Sequence, residues 1–124
     1  MGNFIVKNVP TGIKFYLKAE NGEVILTSEV YKSLASCKAG IASVSKNAAG
    51  GIEDHTVKGS AKQKHPKFEL YENKKGEFRF RLKATNGQII GTSEGYTTKE
   101  ACLNGIESVK KNVQDAKTVQ EDVK

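Results

Sequence analysis

At 124 residues, 37% of them hydrophobic and 27% charged, the chain suits one ordinary domain or two small halves that need each other. That excludes a large multi-domain enzyme, and the balance is neither collagen-like nor disordered. The net charge of +6 divides as +1 over residues 1–57, +4 over 58–67 and +1 over 68–124, which argues against a basic nucleic-acid module spread over the whole chain.

Met1-Gly2-Asn3 leads into no apolar signal region, and no apolar run approaches the roughly 18 to 20 residues that span a bilayer. Val6 stands where a myristoylation signal wants a small hydroxyl. The expected location is cytoplasmic.

A first strand is expected near Asn3–Lys7, followed by a hairpin around Asn21-Gly22, since Asn-Gly between alternating apolar residues is the strongest short hairpin signal. A two-residue loop there pairs Ala19 with Val24, Lys18 with Ile25, Leu17 with Leu26 and Lys14 with Glu29. One hairpin face is then apolar, with Phe15, Leu17, Ala19, Val24 and Leu26. The period next changes to that of a helix, with Cys37, Gly40, Ile41 and Val44 on one stripe and Ser33 as its cap. A glycine in mid-helix costs about 1 kcal/mol against alanine, so Gly40 predicts a close approach of helix to sheet. Ile52-Glu53-Asp54 reads as a fourth strand.

Residues 58–66 form a Lys-rich linker, and then the pattern recurs. Residues 15–47 and 80–112, offset by 65, are identical at 18 of 33 positions. The second copy repeats the strand at Lys67–Glu72, the hairpin around Asn86-Gly87, and the stripe Cys102, Gly105, Ile106 and Val109. Thr97 and Glu100 offer a capping box for its helix, and Val119-Gln120-Glu121 a last strand. In its hairpin Ala84 faces Ile89, Lys83 faces Ile90, Leu82 faces Gly91 and Arg79 faces Glu94. Upstream the offset drops to 64 (Phe4/Phe68, Gly12/Gly76), placing an inserted residue in a loop or bulge around Gly76 to Phe80. Residues 1–57 and 67–124 are thus two copies of β-β-β-α-β. The expected fold is α+β: one antiparallel sheet built from both copies, with both helices on its apolar face.

Chemistry-bearing residues are sparse. Cys37, Cys102, His55 and His65 lack the spacing that organises a zinc site, and the cysteines read as buried, reduced core thiols. No base is placed to activate them, and no Gly-rich phosphate loop follows a strand. The reading is therefore no metal, no cofactor and no catalysis. The repeated Thr27-Ser28-Glu29 and Thr92-Ser93-Glu94 read as cross-strand ion pairs, Glu29 with Lys14 and Glu94 with Arg79. On the outward sheet face Tyr16, Lys18 and Ile25 correspond to Arg81, Lys83 and Ile90, an isoleucine beside cations in both copies. This is either a solvated face or one that binds a protein or ligand partner, with binding of a nucleic-acid backbone as the rival function.

The segment Lys67-Phe-Glu-Leu-Tyr-Glu-Asn-Lys-Lys-Gly-Glu-Phe-Arg-Phe-Arg-Leu-Lys-Ala-Thr-Asn-Gly-Gln-Ile-Ile, continuing through Thr92-Ser93-Glu94-Gly95-Tyr96 to Gly105-Ile106-Glu107-Ser108-Val109-Lys110-Lys111-Asn112, resembles the repeat of the YegP-like proteins. The first copy departs from it with Asn8-Val9-Pro10-Thr11 and with Val30 in place of Gly95. The resemblance spans nearly the whole chain, twice. It implies tandem motifs, or dimers of single motifs, assembled into one sheet by exchanging their last strands. It implies no activity, this bacterial family being functionally uncharacterised. The resulting expectation is a monomer with internal pseudo-two-fold symmetry, acting as a non-catalytic binding or protein-interaction module.

Overall fold

The computed structural model describes residues 2–59, 62–114 and 116–121. Strands β1 (Asn3–Val9), β2 (Gly12–Lys18) and β3 (Val24–Thr27) precede helix α1 (Leu34–Asn47) and strand β4 (Gly51–Asp54). Strands β5 (Lys67–Glu72), β6 (Phe78–Lys83) and β7 (Ile89–Thr92), helix α2 (Lys99–Asn112) and strand β8 (Lys117–Glu121) follow in the same order. The eight strands form one sheet in the order β4-β5-β6-β7-β3-β2-β1-β8.

β4 lies on β5 and β8 on β1, each beside the first strand of the other half. Both of these pairings are parallel, so the sheet is mixed, where the sequence predicted a purely antiparallel one. The reason is connectivity: a tight hairpin forces antiparallel neighbours, whereas a strand delivered by a long crossover is free to run parallel. At the seam β3 and β7 share only the pair Thr27–Thr92. The halves are also joined by α1 reaching β6 and β7, and α2 reaching β3. Residues 67–124 alone lose β4 from beside β5 and β1 from beside β8. Sedimentation of that fragment should show a homodimer, with β8 of one copy on β5 of the other, or a poorly folded chain. A stable monomer would refute this coupling.

Both hairpins differ from the predicted two-residue loop. Ala19 N donates to Glu23 O at 2.8 Å and Gly22 N to Ala19 O at 2.9 Å, closing a three-residue loop whose Gly22 has φ +86°. Gly87 (φ +83°) repeats it between Ala84 and Gln88. A three-residue loop ending in a left-handed glycine adds a residue to one strand. Lys18 therefore pairs with Val24 and Lys83 with Ile89, while Leu17–Leu26 and Leu82–Gly91 keep their expected partners. The extra residues are Ile25 and Ile90.

A second irregularity follows in each half. Ser28 N donates to Phe15 O, but Ile13 pairs with Tyr31, so Lys14 stands opposite Glu29 and Val30 together rather than opposite Glu29 alone. Phe80–Ser93 and Phe78–Tyr96 repeat this around Arg79. The predicted Lys14–Glu29 and Arg79–Glu94 ion pairs accordingly do not form. Lys14 lies over the Tyr16 ring, and Arg79 Nη1 donates to the Ser93 carbonyl at 3.3 Å. The buried serines account for the repeated triplet: Ser28 and Ser93 Oγ accept from Phe15 N and Phe80 N at 2.9 Å and donate to the carbonyls of Glu29 and Glu94. An unmet backbone donor at such a site costs about 1–3 kcal/mol.

The helix stripes are buried as expected. Ser33 Oγ accepts from Ser36 N at 3.1 Å; in the second half the cap is Thr98, accepting from Ala101 N at 3.1 Å, one residue after the predicted Thr97. Asn47 and Asn112 do not end the helices in a left-handed turn. They are buried, and each Nδ2 donates 2.8 Å to the carbonyl of Ser43 or Ser108. The Tyr31 ring stacks on Phe15 (6.1 Å, 12°) with its hydroxyl against Gly40, and Tyr96 stacks on Phe80 (6.4 Å, 14°) with its hydroxyl against Gly105. These contacts are the close approach that the mid-helix glycines predicted.

Candidate binding face

Register alone assigns side chains to the two faces of the sheet, because directly paired residues point the same way. One face carries Phe4, Phe15 and Leu17 with Phe68, Phe80 and Leu82, all buried. The other is crossed by a row running from β4 to β8: Glu53, Glu69, Arg81, Thr92, then Thr27, Tyr16, Ile5 and Val119. Its β4 end is ionic and its β8 end apolar.

At the ionic end Glu69, with its side chain only 4% exposed, receives Arg81 Nε at 2.6 Å, Lys83 Nζ at 3.1 Å and Lys67 Nζ at 3.4 Å. Glu53 receives Lys67 Nζ at 3.0 Å, the backbone N of Gln63 at 2.8 Å and His55 Nε2 at 2.5 Å. The His55 bond, then the Gln63 and Lys67 bonds, hold the Glu53 carboxyl down to about 2. Burial works to raise the Glu69 carboxyl, but the bonds and charges of Arg81 and Lys83 outweigh it and leave it below the usual range. Lys67 is raised, first by its bond to Glu53.

Sequence reasoning placed Arg81 and Lys83 on an exposed face as unpaired cations; both instead neutralise Glu69. Lys67, counted in the basic stretch 58–67, is drawn into the same buried cluster. Glu53 was missed because it meets Lys67 only when β4 lies beside β5, and Glu69 because it meets Arg81 and Lys83 only across the β5–β6 pairing. The available signal was a Glu-x-His at one strand end and an acid centred in an otherwise apolar strand. Glu53, His55 and Glu69 bring one potential metal-ligating atom each within 4.8 Å of one another. With Lys67, Arg81 and Lys83 already on the carboxylates, this chemistry is that of an ion-pair network rather than a cation centre.

Ile25 and Ile90 need a second correction. They are only 5% and 8% exposed and belong to the hydrophobic core. Ile25 lines a cleft with Tyr96, Ala101 and Gly105, and Ile90 one with Tyr31. The bulge that follows each loop takes them off the outward face, so neither is available as an exposed anchor there. Tyr16 and Lys18 do lie on that face, partly exposed.

The apolar end carries Tyr16, partly exposed, Ile5, only 8% exposed between its two neighbours, and Val119, 43% exposed. Around it stand Lys14 and Lys7, with Glu121 the register partner of Lys7, on one side, and Lys18 and Lys117 on the other. None of these four lysines has an ion-pair partner among the described residues; Lys14 lies 5.0 Å from the centre of the Tyr16 ring. On the ionic half the Tyr71 ring is covered by Arg81 at 4.9 Å.

Cys37 and Cys102 are fully buried free thiols. Burial raises both, Cys102 to about 11 with help from the charge of Asp54, so neither is a thiolate at neutral pH. They do not converge with His55, which sits beside Glu53, or with His65, which lies near Gly87.

The family described as "Domain of unknown function (DUF1508)" matches residues 12–53 and 73–120 of this chain. The chain belongs to the DUF1508 family. It is 49% identical over 109 residues to UPF0339 protein MS1092 of Mannheimia succiniciproducens, covering 88% of this chain and 82% of that protein. It is 42% identical over 113 residues to UPF0339 protein YegP of Yersinia pestis, covering 90% and 88%. The solution NMR structure of yegP from E. coli, described as a protein of unknown function, superimposes with a TM-score of 0.79 at 37% identity, covering 97% of this chain and 92% of that one. These findings agree with the YegP-like resemblance of the repeats. In this DUF1508 member no helix among the described residues is long and apolar enough to cross a membrane.

Proposed function

We propose that the two repeats act as one non-catalytic binding module: both helices cover the phenylalanine-bearing side of the sheet, and the β8–β1–β2 end of the opposite face receives an acidic protein segment that carries apolar side chains. The observation that carries this reading is the partly exposed Tyr16 and the exposed Val119 on either side of the buried Ile5, with Lys7, Lys14, Lys18 and Lys117 around them and Glu121 beside Lys7. An apolar centre within a charged rim is the anatomy of a protein interface, and the rim selects an acidic partner. The contrast between halves supports it, since the cations of the other half are consumed by Glu53 and Glu69.

A single-stranded nucleic acid fits less well, because stacking platforms need bare aromatic faces and both tyrosines of this face lie under cations. The test is fluorescence anisotropy with a labelled peptide alternating glutamate and leucine, against a single-stranded RNA of equal charge. Tyr16→Ser should weaken peptide binding by about tenfold, the effect of losing roughly 1.4 kcal/mol at a central contact, and Lys18→Glu should weaken it further. Tighter RNA binding, with a steep salt dependence, would replace this reading with the nucleic-acid one. Peptide binding unmoved by both substitutions would remove the patch as the site.

A further inference from the structure

We infer that the open edge of β8 is a self-association surface on which a second copy of this chain pairs strand to strand, antiparallel about Val119. β8 stands at one end of the sheet, and among the described residues nothing pairs with its far side. An edge strand offers unpaired N–H and C=O groups and templates another strand. The opposite edge is managed differently: β4 has four residues, and the linker folds back on it, with Gln63 N bonded to Glu53 and the Gln63 side chain against Gly51.

The order of residues along β8 specifies the occupant. In Lys117-Thr118-Val119-Gln120-Glu121, antiparallel pairing about the central valine sets Lys117 of each copy opposite Glu121 of the other, and Val119 opposite Val119. Parallel pairing in register would set lysine against lysine, and like charges directly opposite destabilise. The antiparallel arrangement is a closed two-fold contact that ends with two copies. It also extends the rows of the sheet. Lys117 stands beside Asn3, whose other neighbour is Lys18, and this cationic row gains an acidic residue from the second copy. The apolar row Tyr16–Ile5–Val119 continues into Val119 of that copy. Val119 is one of three large hydrophobic residues left exposed among those described.

Sedimentation velocity on the full chain, from about 10 µM to about 1 mM, should show a reversible dimer with a dissociation constant on the order of 0.1–1 mM, as suits a small edge contact. The monomer expected from the sequence is then the dilute form. Lys117→Glu and Glu121→Lys should each weaken association at least about tenfold, since each sets like charges opposite at both ends of the pairing. Mixing these two variants should restore a heterodimer, because every opposing pair is complementary again. Val119→Glu, with circular dichroism as the folding control for all variants, gives an independent loss of association. A chain monomeric throughout that range, or single variants that associate like the wild type without regaining strength on mixing, would overturn the proposal. The outcome is separable from that of the acidic-peptide test, which is run on the dilute monomer.

Discussion

Gly105→Leu is expected to destabilise the protein by about 3 kcal/mol, at the upper end of what overpacking costs, and to lower the melting temperature by about 10 °C for a chain of this size. Helix propensity alone predicts the opposite sign, since leucine is the better helix former by nearly 1 kcal/mol. The steric term wins because a Cβ at Gly105 overlaps the Tyr96 hydroxyl and lies 3.0 Å from Phe80 Cε2. The Tyr96 ring cannot swing away freely, being stacked on Phe80. Gly40 is held in the same way by Tyr31 and Phe15. Calorimetry on Gly105→Leu and Gly105→Ala, each with and without Tyr96→Phe, checks the mechanism: removing the hydroxyl should recover part of the loss in the alanine variant. A melting temperature raised by Gly105→Leu would place Gly105 on an exposed helix face and overturn this mechanism.

Acid should unfold the protein through the ionic end of the polar face. Glu53 titrates at about 2 in the folded protein against an ordinary value of 4.5, and Glu69 and Asp54 are also held below their ordinary values. Carboxyls depressed by folding stabilise fully above their unfolded values, and that stabilisation is lost as the pH falls through the folded ones. Stability should therefore hold down to about pH 5 and fall steeply between about pH 4.5 and 2. Lys67 has the opposite sign: raised by folding, it stabilises below its unfolded value of 10.5 and ceases to do so as the pH climbs beyond its folded one. Glu69→Ala should cost about 1–3 kcal/mol at neutral pH, because it leaves Arg81 and Lys83 without their carboxylate while Lys67 keeps only Glu53, and it should shallow the acid limb. Adding Arg81→Met should recover part of that cost, since the ion-pair partner of Arg81 is Glu69. Urea titrations of the three proteins from pH 2 to 8 read all of this, and a Glu69→Ala cost under about 0.5 kcal/mol would mean that water already screens the cluster.

The strand and helix order, the stripe of Cys37, Gly40, Ile41 and Val44 and that of Cys102, Gly105, Ile106 and Val109, and the tight contact at each mid-helix glycine were all legible in the sequence by itself. Each is written in residues close together along the chain, where side-chain period and turn chemistry act directly. Tertiary structure decided the rest. Whether Ile25 and Ile90 pointed out or in depended on one residue of loop length, and a one-residue slip turns a strand side chain to the other face. Ser28 and Ser93 looked like companions of an ion pair until the ladder showed them meeting the amides of Phe15 and Phe80, thirteen positions away. The parallel direction of β4 and β8 depended on helices that carry each strand past the seam. The joining of Glu53 to Lys67 and Glu69 in one charge cluster had to wait for that crossing, because electrostatic partners are chosen by distance in space: Lys67 and Glu69 share β5, and only the exchange of β4 brings Glu53 to 3.0 Å from the Lys67 ammonium.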